Sequence, residues 1–239
     1  MDVRTLIYLL LLFLPLFLII LIPFIIGRRK LLYVRDIYLI ELFRILKQYN
    51  LRVKEVSPPE NPLYYHIYLL ALRGITFRVT LSLMDRRYYF YYLVRRPDLI
   101  QIRVYTDTFA PFSFLVIPKE KKDILQRLAG YITEMKAVPG VLSKDFVIVT
   151  DDLSVSSIVL TPKIRAMIKK LGTDLNWLYI DYAQPIIEIR SDLTENNVKK
   201  ILNLTFALSF ELINAMRKVK KRSEKGRALD IVRKILEEV

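Results

Sequence analysis

The chain has 239 residues, no cysteine, one histidine and a formal net charge of +14. Without cysteine there can be no disulfide, no thiol chemistry and no thiolate metal site, and a single imidazole (His66) excludes a multi-histidine metal centre or a two-histidine mechanism. Few Cys, Asn and Gln beside many Lys, Arg and Glu make the composition thermophile-like.

Residues 5–26, TLIYLLLLFLPLFLIILIPFII, carry no charged side chain and end at Gly27-Arg28-Arg29-Lys30. About 20 apolar residues cross the hydrocarbon core as a helix, the only single-segment structure that satisfies its own backbone in lipid. The run is longer than the roughly 7–15-residue core of a cleaved signal, and no Ala-x-Ala site follows it. It therefore reads as a retained single-pass anchor, residues 1–27, in contact with membrane lipids. Pro15 and Pro23 are compatible with a membrane helix. Arg28, Arg29, Lys30 and Arg35 outnumber the positive groups before the run, Arg4 and the terminal amine. That asymmetry places the N-terminus outside the cell membrane and the C-terminal region in the cytoplasm. Because Asp2 and Arg4 cancel, the remainder still carries the whole +14.

Residues 31–49 place Leu32, Ile37, Leu39, Ile40, Leu42, Phe43 and Leu46 between charges, the pattern of a helix with a broad apolar stripe. This helix is expected to begin where the membrane ends and to pack on the soluble region, with a helix lying in the headgroups as the alternative. Residues 51–56 read as a strand, and Ser57–Pro62 as a loop. Residues 63–72 form an aromatic-rich strand. Ile75, Phe77, Val79, Leu81 and Leu83 alternate with polar residues, as do Ile100, Ile102 and Val104, giving two strands with one apolar face each. Residues 88–94 lie between them as a further strand, and Phe112–Ile117 is another. Short connections make residues 51–117 an antiparallel meander.

Residues 119–128 read as a short helix and 129–144 as a mixed connection. Phe146–Thr150 is a strand closed by Asp151-Asp152. Thr161-Pro162 opens a helix that runs to Leu171 and stops at Gly172. Residues 177–182 and 186–190 make a hairpin. Asp192-Leu193-Thr194-Glu195 has the form of a capping box for a long helix. The expected fold is α+β: an N-terminal transmembrane helix, then an antiparallel sheet packed with helices, then a second small β-α-β-β-α unit. The divisions are an anchor at 1–27, a helix plus meander at 28–144, an α+β unit at 145–222, and a short amphipathic tail at 223–239.

No motif carries recognisable catalysis. Neither a glycine-rich phosphate loop nor a G-x-S-x-G elbow is present. Asp151 and Asp152 follow a strand, where magnesium carboxylates often sit, but aspartate also forms turns and caps. His66, alone among tyrosines, reads as structural. The expectation is therefore no enzyme, no cofactor and no metal. The binding candidates are basic and aromatic. Arg28, Arg29 and Lys30 flank the anchor. Tyr88, Tyr92, Arg95 and Arg96 belong to an aromatic strand with basic flanks, suited to a membrane interface, a protein contact or stacked bases. Arg217, Lys218, Lys220, Lys221 and Arg222 form a basic cluster at the end of the long helix, suited to its dipole, to anionic lipid or to a partner.

The stretch Phe146–Asp152, Leu160-Thr161-Pro162 opening a helix, two strands and a long helix resembles a family of uncharacterised prokaryotic proteins with N-terminal membrane segments and a domain of unknown function. The likeness covers about residues 145–215. That family has a small residue after the acidic turn, where this chain has Leu153-Ser154-Val155. The resemblance implies an anchored architecture and assigns no functional residues. The reading that results is a membrane-anchored binding or scaffolding protein with a protein partner or a second copy of itself. The alternatives are an accessory subunit of a larger transport or secretion complex and, less favoured, a membrane-tethered nucleic-acid binder.

Overall fold

The apolar run and the helix after it are a single element. In the computed structural model, which describes residues 3–49, 51–57, 63–70, 75–84, 86, 97–105, 112–121, 123–124, 126–127, 135–138, 140, 142, 144–153, 159–181, 186–194 and 196–212, helix α1 spans Val3–Gln48 without interruption. Its 46 residues are about 69 Å long at 1.5 Å per residue. The expected break at Gly27–Lys30 is absent. An internal glycine costs a helix only about 1 kcal/mol, and Gly27 is buried. The two halves of α1 have different surroundings. Between Tyr8 and Ile26 most of the described side chains, including Leu12, Phe13, Phe17, Ile19 and Ile22, are exposed. From Leu31 onward one side packs on the sheet through Leu31, Tyr38, Leu42, Ile45 and Leu46.

Among the described residues the sheet has nine strands: β1 Arg52–Ser57, β2 Tyr64–Leu70, β3 Thr76–Ser82, β4 Asp98–Tyr105, β5 Phe114–Pro118, β6 Lys136–Ala137, β7 Phe146–Thr150, β8 Leu175–Asp181 and β9 Ile186–Leu193. Their order is β1-β2-β3-β4-β9-β8-β5-β7-β6, antiparallel throughout. Strands β1 to β4 form an antiparallel meander, with β3 paired directly to β4, where a strand at residues 88–94 is expected between them; those residues lie outside the described ones. Strand β5 departs from it, pairing with β7 and β8, while β4 pairs with β9. Strands from before and after residue 144 thus share one sheet.

The period-two pattern decides the layers. Phe77, Val79, Leu81, Ile100, Ile102, Val104, Ile187 and Ile189 turn to one side and are buried there with the inner face of α1 and two further helices, α2 (Pro162–Leu171) and α3 (198–212). Phe206 of α3 meets Phe77 edge-on at 5.1 Å and Tyr49 at 4.6 Å. Helix α1 therefore runs along β4. Tyr38 sits at Asp98, the start of that strand, whereas Tyr49 meets the phenyl pair near its end, because Phe77 is paired with Val104. On the opposite side a smaller cluster forms over β5, β7 and β8 from Leu115, Ile117 and Val149, packed with Ile124, Met135, Trp177 and Tyr179.

The local punctuation explains α2 and α3. Thr161 caps α2, its hydroxyl accepting from the Ile164 N–H at 3.3 Å, with Pro162 in the first turn. Gly172 ends α2 at φ 56°, a conformation that favours glycine. The box before α3 is shifted two residues from its expected frame. Thr194 donates its backbone N–H to the Asn197 side chain at 2.9 Å. Asn197 also donates to the Asp192 carbonyl at 2.8 Å and to Asp174 at 3.2 Å. A short amide with both donor and acceptor can tie this corner together, which a carboxylate cannot.

Candidate functional site

Three features bear on function, in order of distance from the N-terminus. The first is a collar. Arg28, Arg29 and Lys30 are exposed on three successive positions of α1, immediately past the apolar run. At about 100° per residue they spread charge around more than half of the helix. Tyr88, Tyr92, Arg95, Arg96, Arg217, Lys218, Lys220, Lys221 and Arg222 lie outside the described residues.

The second is a buried clamp between α1 and the sheet. Asp98 opens β4, and its side chain is only 2% exposed. It accepts from Arg86 Nη1 at 3.0 Å, from Arg86 Nη2, from the Met84 N–H at 2.7 Å and from the Tyr38 hydroxyl at 3.2 Å. The Tyr38 hydroxyl also lies 3.2 Å from the Leu193 carbonyl. Arg86, at 7% exposure, adds a bond to the Met84 carbonyl at 3.2 Å. One carboxylate thus joins the helix, the chain after β3, and β4, beside the end of β9. Nearer the apolar run a hydrogen bond from Arg35 to Tyr65 of β2, and after it Asp36, raises the Arg35 pKa against the effect of burial.

The third is the sheet face turned away from the helices. Register puts His66, Thr80, Gln101, Arg190 and Trp177 in one row across β2, β3, β4, β9 and β8. Tyr68, Arg78, Arg103, Glu188 and Tyr179 form the next row. These positions are half-buried, in strict alternation with the core. Glu188 accepts from Arg103 Nε at 2.7 Å and from Trp177 Nε1 at 2.9 Å. The Arg103 side chain remains 41% exposed, and its pKa is raised chiefly by the Glu188 hydrogen bond. Arg190 lies over the Trp177 ring at 4.8 Å and Arg78 over Tyr68 at 5.5 Å, both cation–π contacts. His66 Nδ1 is 3.1 Å from the Thr80 hydroxyl and 3.5 Å from Arg78 Nη2. Arginine can only donate, so Nδ1 is the unprotonated nitrogen. Burial, and then the Arg78 charge, lower the His66 pKa and keep the ring neutral.

Sequence patterning alone does not single out this face. The signal was present in the polar positions of the alternating strands, where Arg78, Arg103 and Arg190 keep company with Tyr68, Tyr105 and Trp177. It emerges only once β9 is known to lie beside β4. Asp151 has a structural role: both its carboxylate oxygens are 2.9 Å from the Ser113 N–H, holding the entry to β5. Among the described residues no group of three or more His, Asp or Glu side chains is arranged to hold a metal ion.

The chain matches no protein-family profile and no curated protein. Among solved structures it is similar to the crystal structure of the mycobacterial trehalose monomycolate transport factor A, TtfA, with 7% sequence identity and a TM-score of 0.41, over 70% of this chain and 89% of that one.

Proposed function

We propose that this protein is a single-pass, membrane-anchored binding or scaffolding module whose α+β region stands in the cytoplasm. The observation that carries the reading is the division of α1. One helix is long and apolar enough to cross a bilayer, is mostly exposed at the described positions from Tyr8 to Ile26, and is built into the core of the sheet from Leu31 onward. The collar of Arg28, Arg29 and Lys30 suits anionic headgroups at the inner leaflet. Binding rather than catalysis is the role these groups serve. Alkaline extraction of membranes from cells making the full chain should leave it in the membrane pellet. Recovery in the soluble fraction would refute the anchor. Orientation is readable by labelling, because the chain has no native thiol. A cysteine at Lys170 should react with an impermeant maleimide only after the cells are opened.

An accessory subunit of a larger membrane complex is the second reading. It is favoured by the outward side of α1 beyond the apolar run, where Leu32, Tyr33, Ile40 and Phe43 are 37%, 66%, 68% and 38% exposed. A stripe of this kind fits a partner helix. Gentle solubilisation of the tagged full chain should bring down a stoichiometric partner that is lost when Tyr33 and Ile40 are changed to Ser. Recovery of this chain alone would count against it.

A further inference from the structure

We infer that the outward side of α1 is a self-association surface, paired along its length with the α1 of a second copy of this chain in the same bilayer. This rests on the anchored reading, and it competes with the accessory-subunit reading for the stripe beyond the apolar run. The two sides of α1 share one period. Leu31, Tyr38 and Ile45, seven residues apart, are buried in the core. Two residues after the first two of these, about 200° round the helix, stand Tyr33 and Ile40. Continued toward the N-terminus at the same spacing, that outward line runs through Ile26, Ile19 and Leu12, and all five residues are more than half exposed. Within the apolar run lipid covers such side chains, so Tyr33 and Ile40 are the decisive pair. They are seven and fourteen residues past Ile26, about 10 and 21 Å along the helix. The headgroup layer is only about 5–7 Å deep. Ile40 therefore stands in water beyond the headgroups, with Phe43 one turn on, until another chain covers it.

Orientation, sequence and charge make the occupant a second copy. Copies inserted in one bilayer share an orientation, so their α1 helices run parallel and equal positions stand at equal heights, as a two-fold axis along the bilayer normal requires. A seven-residue line with Ile at three of its five positions, Ile19, Ile26 and Ile40, is of the kind that parallel two-stranded helix pairs favour. The line three residues on is apolar at Pro15, Ile22 and Phe43 and polar at Arg29 and Asp36; polar seam residues lower stability and fix the register. The charged residues between Leu31 and Gln48 are Arg35, Asp36, Glu41, Arg44 and Lys47. Arg35 closes on Asp36 and Arg44 on Glu41, each at 2.6 Å, which leaves Lys47, at the far end, as the one cation of that stretch without an ion pair among the described residues. The collar of Arg28, Arg29 and Lys30 lies at headgroup level, where anionic lipid offsets its repulsion. Two chains of +14 still repel at a distance, and salt screens that repulsion while leaving an apolar contact intact. Because the sheet lies on the buried side of α1, pairing along the outward side keeps the two sheets apart.

The chain has no cysteine, so Ile40→Cys places a single thiol on this line at an exposed position. Membranes from cells making this full chain are treated with a mild oxidant at high salt, beside membranes carrying Lys170→Cys, whose thiol is exposed on α2. A disulfide-linked dimer of the Ile40→Cys chain, cleared by reductant, should form about tenfold faster or more than that of Lys170→Cys, since thiols held in a pair meet at a far higher effective concentration than free ones. Tyr33→Cys should behave as Ile40→Cys does, and it serves if Ile40→Cys is poorly made. Equal rates on the outward line and on α2 overturn the pairing. A disulfide from Ile40→Cys to a different protein also overturns it and returns the stripe to a partner subunit. Alkaline extraction of the same membranes separates this inference from the reading beneath it. Chain in the soluble fraction refutes the anchor and the pairing together, whereas chain kept in the pellet with no preferred dimer overturns the pairing alone.

Discussion

Replacing Asp98 by Asn tests the clamp most directly. The substitution preserves shape and removes one charge from a pair whose side chains are 7% and 2% exposed. Asn can still accept from the Met84 N–H through one oxygen. Its NH2 group, however, must then face Arg86 Nη2 and the Tyr38 hydroxyl, both of which now donate to the carboxylate. What remains is a buried guanidinium that has lost the Asp98 charge. Removing one partner of a buried pair costs about 3–5 kcal/mol, against a total stability of about 5–15 kcal/mol for a domain. At this size each kcal/mol moves the midpoint by about 2–4 °C, so Tm should fall by roughly 6–20 °C. The assay is thermal unfolding of the full chain in detergent, followed by circular dichroism. The double variant Arg86→Met, Asp98→Leu should recover much of the loss, because an apolar pair of similar volume is often tolerated where half a salt bridge is not. A Tm within 1–2 °C of wild type for Asp98→Asn alone, or a double variant worse than the sum of the singles, would refute the argument.

Three further outcomes follow from the packing and the titrating groups. Phe77→Ala should lower stability by about 3–5 kcal/mol in denaturant unfolding, since the ring is fully buried against Phe206 and little around it can collapse. Thr161→Ala should cost about 1 kcal/mol through loss of the α2 cap and Thr161→Ser much less, measured the same way. The His66 pKa is lowered in the folded chain by burial and by the Arg78 charge, below the ordinary value of 6.5 that applies when unfolded. The unfolded state therefore takes up the proton first. His66 contributes no pH dependence above that value, and stability declines as pH falls through 6.5 toward the folded value. Melting curves between pH 7.5 and 5.5 should show a smaller decline for His66→Gln than for wild type, and equal slopes would rule this linkage out.

Much of the fold was legible because its signals are local. Alternation in Thr76–Ser82 and Leu99–Tyr105 fixed both strands and their buried faces. Thr161-Pro162 and Gly172 bounded α2, and the short link after Asp181 marked the β8–β9 hairpin. The misread features have equally physical reasons. Gly27 and the three cations end the apolar run, yet a change in side-chain polarity is not a change of element, and α1 passes through it at little cost. Thr194 and Asn197 tie the start of α3, where a box from Asp192 to Glu195 is expected, because an amide satisfies more of the corner; Glu195 itself lies outside the described residues. The insertion of β8 and β9 between β4 and β5 is decided by which strands bury each other's sides, and no local period records it. The arginine face depends on that insertion: Arg78, Arg103 and Arg190 lie far apart in sequence and become neighbours only in the order β3-β4-β9.

Continuity of α1 through Gly27 has a mechanical consequence. On the anchored reading proposed above, the sheet is mounted on a post, where a flexible tether would let it sweep out a hemisphere. Pro15 and Pro23, the residues that would bend the helix, fall within its apolar half, and the segment from Gly27 to Leu31 has none. Rotation about the bilayer normal remains free. Tilt and standoff are set by the helix itself. A ligand or partner therefore meets the sheet at one height and one attitude, and the search is reduced to lateral diffusion plus a single angle. Lengthening α1 by two residues would turn the arginine face by about 200° and raise it by about 3 Å, whereas four added residues would nearly restore its heading while raising it by about 6 Å. On that reading helix phase sets the heading at which a partner meets the sheet.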